Sequence, residues 1–292
     1  MGKKGAKKTG KQAPVKRKQN PLTVAVVVII LLAMVGLVAL GMFGTGQKSS
    51  SENMSPNKST ADAAKKVEWE VVNSYPHDPD AFLQGLVWHD NGFYEGTGLN
   101  GRSSLRQVEF PSGKVLKKVD IPQEFFGEGI ALVNDHLIQL TWQSHKGFVY
   151  DRQTFNKIRE FSYPTEGWGL TYDGKNLILS DGSSSLFFLD PETFQTVRKI
   201  DVTLNGSPLR RLNELEYING EIWSNVWQTD QIVRIDPTSG KVTSYLDMAG
   251  ILTRQYRTGN EDVLNGIAYD PQQKRIFISG KQWPRIFEIR LK

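Results

Sequence analysis

One pattern in this sequence recurs five times, and it constrains the fold more than any other feature. Each copy is a short segment in which polar residues or glycine precede apolar residues, and the copies begin at Gln84, Gly127, Gly167, Asn213 and Asn265. Their spacing is roughly 40–50 residues, which is the period of a β-propeller blade. After each opening, short runs alternate apolar and polar residues with period two, as strands do. The sequence therefore predicts an all-β fold, a five-bladed β-propeller with four strands in each blade.

The two ends of the repeat predict how the propeller closes. The last unit, which starts at Asn265, contains strand-like runs for three strands and not four. The strand-like run at 67–75 precedes the first unit and belongs to no other blade. We expect this N-terminal strand to complete the last blade of a domain spanning 67–292, because that pairing removes two exposed sheet edges. A β-sandwich or an irregular all-β fold is the alternative, and the five aligned openings argue against it.

The region before the repeat predicts a membrane anchor. Residues 1–21 carry eight Lys or Arg and no acid, which predicts a basic cytoplasmic tail. Residues 22–43 are apolar apart from Thr23 and glycines, long enough for an uncleaved transmembrane helix acting as a signal anchor. The positive charges before it place the C-terminal domain outside the cytoplasm, at the cell surface or in the periplasm. Residues 44–66 are small and polar, which predicts a flexible linker. A cleaved signal peptide is the alternative, and it exports the same domain.

Charge and composition exclude several classes of function. Beyond residue 21 the chain has 28 basic and 31 acidic side chains, so the folded part has no basic surface for nucleic acid. There is no cysteine, and therefore no disulfide and no cysteine-ligated zinc. The four histidines show no metal-ligand spacing and lie near turns, so we expect them at the surface. We expect no metal ion and no other cofactor.

The five openings should meet at one end of the propeller channel, because the first strand of each blade lines the channel. The residues that break the apolar pattern there are Phe82, Gln84, Glu128, Trp168, Asn213, Glu214 and Asn265. Glu128 is the sharpest candidate, since it lies between two glycines and follows two phenylalanines. Burial in such a place raises the pKa of a carboxyl toward the range of general acid–base catalysis. The alternative is a carboxylate that only caps backbone N–H groups.

The stretch 211–229 combines acids, amides and two tryptophans. Its alternating residues on either side of Asn219-Gly220 predict a β-hairpin. A polar strand edge with aromatic packing and a binding wall both fit this composition. The repeat places the stretch in the fourth blade, with Asn213 and Glu214 at the channel mouth.

Seven stretches of the chain resemble the glutamine cyclotransferase family of plants and bacteria. They lie at 76–86, 98–106, 126–130, 166–170, 211–229, 262–270 and 280–284. The resemblance covers Glu70 to Leu291, and it implies a five-bladed propeller. It also implies an enzyme that converts the N-terminal glutamine of peptides or proteins to pyroglutamate with release of ammonia, and without a metal ion.

The resemblance also implies roles for individual residues. Glu128 corresponds to the catalytic acid of the family. The positions expected to bind or border the substrate are Phe82, Gln84, Glu95, Trp142, Trp168, Asn213, Glu214, Trp227 and Lys281. Two alternatives from other classes remain open: a non-catalytic propeller that binds peptides, and a metal-dependent propeller hydrolase of the lactonase type.

Overall fold

The computed structural model describes residues 63–292, whose strands form five blades around a central channel. The predicted basic tail and transmembrane anchor, and nearly all of the predicted linker, lie outside the described residues. Within 63–292, no helix is long and apolar enough to cross a membrane.

Each blade contains four antiparallel strands, and in the first four blades these strands follow chain order from the channel outward. The first blade contains β3 (Leu83–His89), β4 (Gly92–Thr97), β5 (Ser104–Glu109) and β6 (Val115–Asp120). The second contains β7 (Gly127–Val133), β8 (His136–Thr141), β9 (Lys146–Asp151) and β10 (Lys157–Ser162). The third contains β11 (Leu170–Tyr172), β12 (Leu177–Ser180), β13 (Ser185–Leu189) and β14 (Thr196–Asp201). The fourth contains β17 (Leu212–Ile218), β18 (Glu221–Val226), β19 (Gln231–Ile235) and β20 (Val242–Asp247).

The fifth blade joins the two ends of the domain. It contains β21 (Leu264–Asp270), β22 (Arg275–Gly280), β23 (Arg285–Leu291) and β2 (Trp69–Pro76). β2 pairs antiparallel with β23, from Trp69 opposite Leu291 to Pro76 opposite Arg285. The five-bladed fold and its closure by the N-terminal strand are therefore confirmed.

Three small elements complete the described chain. β1 (Lys65–Lys66) pairs in parallel with β20. The predicted linker was expected to reach residue 66, so this pairing corrects the boundary: the folded domain begins before Val67. β15 (Thr203–Leu204) and β16 (Ser207–Pro208) form a short hairpin between the third and fourth blades, and Arg254–Tyr256 forms one 3-10 turn.

Within the described part of the chain, apolar residues form five clusters, and each cluster draws on two adjacent blades. Between the first and last blades, Trp88 and Phe93 pack against Phe277. Because each blade contributes a side chain layer to both of its neighbours, the core lies between the blades and surrounds the channel.

The innermost strands are irregular at the point where they enter the channel. In four blades the register of the first two strands shifts between Leu83 and Gly85, Gly127 and Ile130, Leu212 and Leu215, and Leu264 and Ile267. Such bulges redirect side chains, and the residues inside these four shifts include Gln84, Glu128, Asn213 and Asn265. Five of the seven interruptions of the apolar pattern thus lie in bulges at one mouth of the channel, and Phe82 and Trp168 lie just before a first strand.

The predicted hairpin of the fourth blade is confirmed. Ile218 pairs with Glu221, and the turn between them consists of Asn219 with φ 50° and Gly220 with φ 90°. Two consecutive residues with positive φ match the twist of the flanking strands, which is why Asn-Gly is favoured in such turns. This turn lies at the end of β17 away from Asn213.

Candidate active site

A cavity of about 360 Å³ opens at the mouth of the channel where the innermost strands begin. Its wall combines aromatic side chains with a few polar ones. The lining residues are Phe82, Gln84, Phe126, Glu128, Trp142, Trp168, Asn213, Trp227, Gln228, Asp262, Val263 and Lys281. All five blades contribute, either from the start of a first strand or from the loop after a second strand, so the predicted convergence of the openings is confirmed.

Glu128 is the buried carboxyl of this cavity. It is the second residue of β7, its exposed fraction is 5%, and Gln84 Nε2 donates a hydrogen bond to Glu128 Oε1 at 3.0 Å. Burial raises the pKa of Glu128 well above its usual 4.5, against the opposing effect of the nearby positive charge of Lys281. The direction agrees with the prediction from the sequence, and it suits a group that must both accept and release a proton near neutral pH.

Gln84 is held in the orientation that serves Glu128. Asn265 Nδ2 donates to Gln84 Oε1 at 3.3 Å and to the carbonyl oxygen of Leu83 at 3.0 Å. The amide oxygen of Gln84 is thereby engaged by the last blade, which leaves its N–H₂ group directed at Glu128. Residues from the first and fifth predicted openings therefore orient the hydrogen bond to Glu128, which belongs to the second opening.

Lys281 supplies the positive charge of the cavity. It follows β22 directly, and its Nζ lies 4.9 Å from the centroid of the Phe82 ring. Burial lowers the pKa of Lys281, while Glu128 and Asp262 act in the opposite direction. The Lys281 backbone is anchored on both sides, since its N–H donates to Val263 and its carbonyl accepts from Asp262.

Indole and phenyl rings form the remaining walls. Trp168 and Trp227 meet edge to face with centroids 5.3 Å apart, and Phe126 meets Trp142 in the same way at 5.7 Å. Trp142 is the most open of these rings, with 37% of its surface exposed. The cavity therefore has aromatic side walls that are held in place by ring–ring contacts.

Two residues of the predicted site, Glu95 and Glu214, do not line the cavity. Glu214 is buried inside the channel, where its carboxyl oxygens accept the backbone N–H groups of Leu86 at 3.2 Å and Ile267 at 2.8 Å. The structural role considered for Glu128, a carboxylate that accepts backbone N–H groups, thus belongs to Glu214. Burial and the neighbouring Glu216 raise the pKa of Glu214 well above 4.5.

Glu95 lies behind the cavity in a buried charge cluster. Its carboxylate pairs with the guanidinium of Arg106 and lies 3.1 Å from His77 Nε2. Burial opposes its charge, but His77 and Arg106 lower the pKa of Glu95 to about 2. The Nδ1 of His77 lies 2.6 Å from the carbonyl oxygen of Trp283, so both ring nitrogens face oxygen atoms. Burial opposes the charge of His77, but Glu95 raises its pKa above 6.5, which favours the protonated ring. The expectation that the histidines lie at the surface is wrong for His77, because Glu95 compensates its burial.

Several cavity residues were not among the predicted site residues. These are Phe126, Gln228, Asp262 and Val263. Each is next to or within the bulged start of a first strand or the end of a second strand. The repeat alignment could have found them, because it already placed those segments at one mouth.

No group of three or more His, Cys, Asp or Glu side chains within 63–292 is placed to hold a metal ion. Both carboxyl oxygens of Glu214, which is buried in the channel, are engaged by backbone N–H groups.

Comparison with known proteins identifies the family. A sequence profile described as glutamine cyclotransferase matches residues 43–291. A glutaminyl-peptide cyclotransferase of Arabidopsis thaliana is 45% identical over 231 residues, which are 77% of this chain and 72% of that protein. The crystal structure of Myxococcus xanthus glutaminyl cyclase superposes with a TM-score of 0.73 at 38% identity, covering 78% of this chain and 98% of that one. This chain therefore belongs to the glutamine cyclotransferase family.

Proposed function

We propose that this chain is a glutaminyl-peptide cyclotransferase. In this reaction the α-amine nitrogen of an N-terminal glutamine attacks the carbon of its own side-chain amide. A ring C–N bond forms, the bond to the amide nitrogen breaks, and ammonia leaves. The observation that carries the proposal is a buried carboxyl of raised pKa, Glu128, in a cavity walled by tryptophans.

The proton balance assigns Glu128 both halves of the proton transfer. The attacking amine loses a proton as the ring closes, and the leaving nitrogen must gain one to depart as ammonia. A single carboxylate can accept the first proton and donate the second. The attack is intramolecular, so the protein contributes mainly by holding amine and amide together.

Other cavity groups suit the rest of the reaction. Negative charge develops on the amide oxygen during attack, and Lys281 and Asn213 present donors in the cavity. The indoles of Trp142, Trp168 and Trp227 form walls around the substrate and exclude water. Exclusion of water favours ring closure over hydrolysis to glutamate.

Mass spectrometry of a synthetic peptide with N-terminal glutamine tests the proposal. We expect incubation with the purified chain to convert the peptide to a product lighter by one ammonia, with ammonia in equal amount. Saturable binding of the peptide without conversion would support the non-catalytic alternative instead. Activity that chelators abolish would support the metal-dependent one.

Glu128→Gln tests the assigned role. The substitution keeps the shape and a hydrogen-bonding partner for Gln84 but removes proton transfer. We expect kcat to fall by about 10²- to 10⁴-fold, with the melting temperature maintained. Glu192→Gln, which changes an exposed residue in the turn between β13 and β14, is the matched control. An unchanged rate in Glu128→Gln contradicts the assignment.

We also propose that residues 22–43 anchor the protein in a membrane and display the propeller outside the cytoplasm. Support comes from the sequence: eight basic residues precede an apolar stretch of helix-spanning length. Alkaline extraction of membranes should leave the full-length chain in the pellet, and protease added to intact cells or spheroplasts should degrade the propeller. Release by extraction, or protection from the protease, contradicts this part of the proposal.

A further inference from the structure

The carboxylate of Glu166 does not line the cavity, but it accepts hydrogen bonds from two tryptophans that do. Glu166 Oε2 accepts hydrogen bonds from Trp142 Nε1 at 2.8 Å and from Trp168 Nε1 at 3.0 Å. Its other oxygen, Oε1, accepts from Gln143 Nε2 at 3.0 Å. Trp142 belongs to the second blade and Trp168 to the third, so Glu166 ties together rings from different blades.

The indole of Trp142 depends on these hydrogen bonds for a fixed position. It follows β8 in a four-residue loop and remains 37% exposed, so burial alone does not fix its ring. Hydrogen bonds to an ionised acceptor are roughly twice as strong as those between neutral groups. The carboxylate stays ionised: burial opposes this, but the donors Trp168, Gln143 and Trp142 lower the pKa of Glu166.

We infer that Glu166 is a positioning residue for the proposed cyclisation, in which its carboxylate holds the Trp142 and Trp168 indoles as substrate walls. This inference rests on the proposed function. Glu166 itself does not line the cavity, so it acts on the substrate through the two rings.

The charge of Glu166 has a second, measurable effect. It raises the pKa of Glu128, adding to the larger effect of burial and opposing that of Lys281. The phenol of Tyr163 also lies within electrostatic reach of Glu128. Removing the charge of Glu166 should therefore lower the pKa of Glu128, and the rise of activity with pH should begin at a lower pH.

Kinetics of Glu166→Leu and Glu166→Gln test the inference. We expect Glu166→Leu to raise KM about tenfold, because two walls lose their position, with a smaller change in kcat. Glu166→Gln should retain part of the affinity, since its amide oxygen still accepts one indole. Both variants should shift the acidic limb of the pH profile to lower pH. Glu192→Gln should change neither KM nor the position of that limb.

Nuclear magnetic resonance supplies a readout independent of activity. Trp142→Phe and Trp168→Phe assign the two indole Nε1–H resonances of the intact chain. We expect both resonances to move in Glu166→Leu and Glu166→Gln and to stay in place in Glu192→Gln. If the wild-type chain releases no ammonia, the proposed function fails, while these resonances still decide whether Glu166 holds the walls.

Comparison of a triple variant with the double tryptophan variant covers the case in which Glu166→Leu does not fold. If Glu166 acts through the indoles, Glu166→Gln combined with Trp142→Phe and Trp168→Phe should raise KM no further than the two tryptophan substitutions together. Fully additive effects, or unmoved indole resonances with an unchanged KM, overturn the inference.

Discussion

Burial dominates the raised pKa of Glu128, and two nearby charged groups of opposite sign modify it. Burial raises its pKa, Lys281 opposes that rise, and Glu166 adds to it. Neither group makes a hydrogen bond or close ion pair with Glu128 among the contacts of residues 63–292. The carboxyl is therefore tuned through space, and its direct contact is the neutral amide of Gln84.

Lys281→Met tests this tuning at the residue scale. Lys281 lowers the pKa of Glu128, so its removal lets the pKa rise further, and the carboxylate form appears only at higher pH. We expect lower activity with an acidic limb displaced to higher pH, opposite to the displacement expected for Glu166→Gln. Rate profiles over pH for both variants check this. A limb that does not move, or moves to lower pH, contradicts the electrostatic account.

At the scale of single elements, the bulged starts of the innermost strands place the cavity side chains. The bulge in β7 contains both Glu128 and Gly129. A Cβ on Gly129 would lie 2.6 Å from the backbone nitrogen of Leu170 and 2.7 Å from the backbone oxygen of Trp168. Backbone atoms cannot rotate away, so the close approach of the second and third blades requires glycine here.

Gly129→Ala should therefore affect both stability and activity. The added methyl group forces the backbone next to Glu128 to shift, and we expect kcat/KM to fall at least about tenfold together with the melting temperature. Thermal unfolding and peptide cyclisation assays measure the two effects. An unchanged kcat/KM would show that the bulge tolerates displacement.

Gly220→Ala is the matched control for this prediction. Gly220 has φ 90°, and no atom lies within 4 Å of the position of an added Cβ. The substitution should cost about 1–2 kcal/mol through backbone strain alone. Because the turn is at the other end of β17, activity at permissive temperature should stay at the wild-type level.

For the whole molecule, the joint between the first and last blades closes the ring. Phe277 of β22 is fully buried there, stacked on Trp88 with centroids 5.0 Å apart and edge to face with Phe93 at 5.1 Å. The N-terminal strand adds to this joint, since Tyr75 lies near Phe277 at 6.3 Å. Closure thus depends on packing between residues from both ends of the domain.

Phe277→Ala should destabilise the closed propeller strongly. Truncation of a buried phenylalanine leaves a cavity and costs roughly 3–5 kcal/mol. Ile158→Ala, on an outer strand where the side chain is 51% exposed, should change the free energy of unfolding by about 0.5 kcal/mol or less. Denaturant unfolding of both variants measures the difference. Equal effects would contradict the assigned importance of the joint.

The channel carboxyls make stability depend on pH. Burial raises the pKa of Glu216 to about 8 from 4.5, although its carboxyl accepts the N–H of Tyr269. Between these values the folded protein keeps a proton that the unfolded chain has released, so the free energy of unfolding falls as pH rises. His77 acts in the same direction, since burial opposes its charge but Glu95 raises its pKa above 6.5. Its contribution to the free energy of unfolding is fully present below pH 6.5 and is lost as pH rises through the raised pKa.

Glu216→Gln should flatten this dependence in part. We expect the variant to lose less stability than the wild type between pH 4.5 and about 8, because one of the proton-binding groups is gone. Urea unfolding at several pH values across this window measures the slope. An identical slope in the two proteins would show that Glu216 does not keep its proton in the folded state.

Local sequence patterns were sufficient to predict the architecture of the fold. The period of the openings predicted five blades, the missing fourth strand predicted the closure by 67–75, and Asn219-Gly220 predicted the hairpin. Each of these depends on alternation, spacing or turn chemistry, which neighbouring residues determine. The resemblance to a family then named ten site residues, and eight of them line the cavity.

The tertiary structure decided what each carboxyl does. Glu95, Glu128 and Glu214 all entered the predicted site, yet only Glu128 reaches the cavity. Glu95 is neutralised by Arg106 and His77, and Glu214 is engaged by backbone N–H groups of two other blades. Charge, burial and pKa depend on groups brought together from distant parts of the chain, so the sequence alone determined the blades and the candidates, and folding determined which candidate faces the substrate.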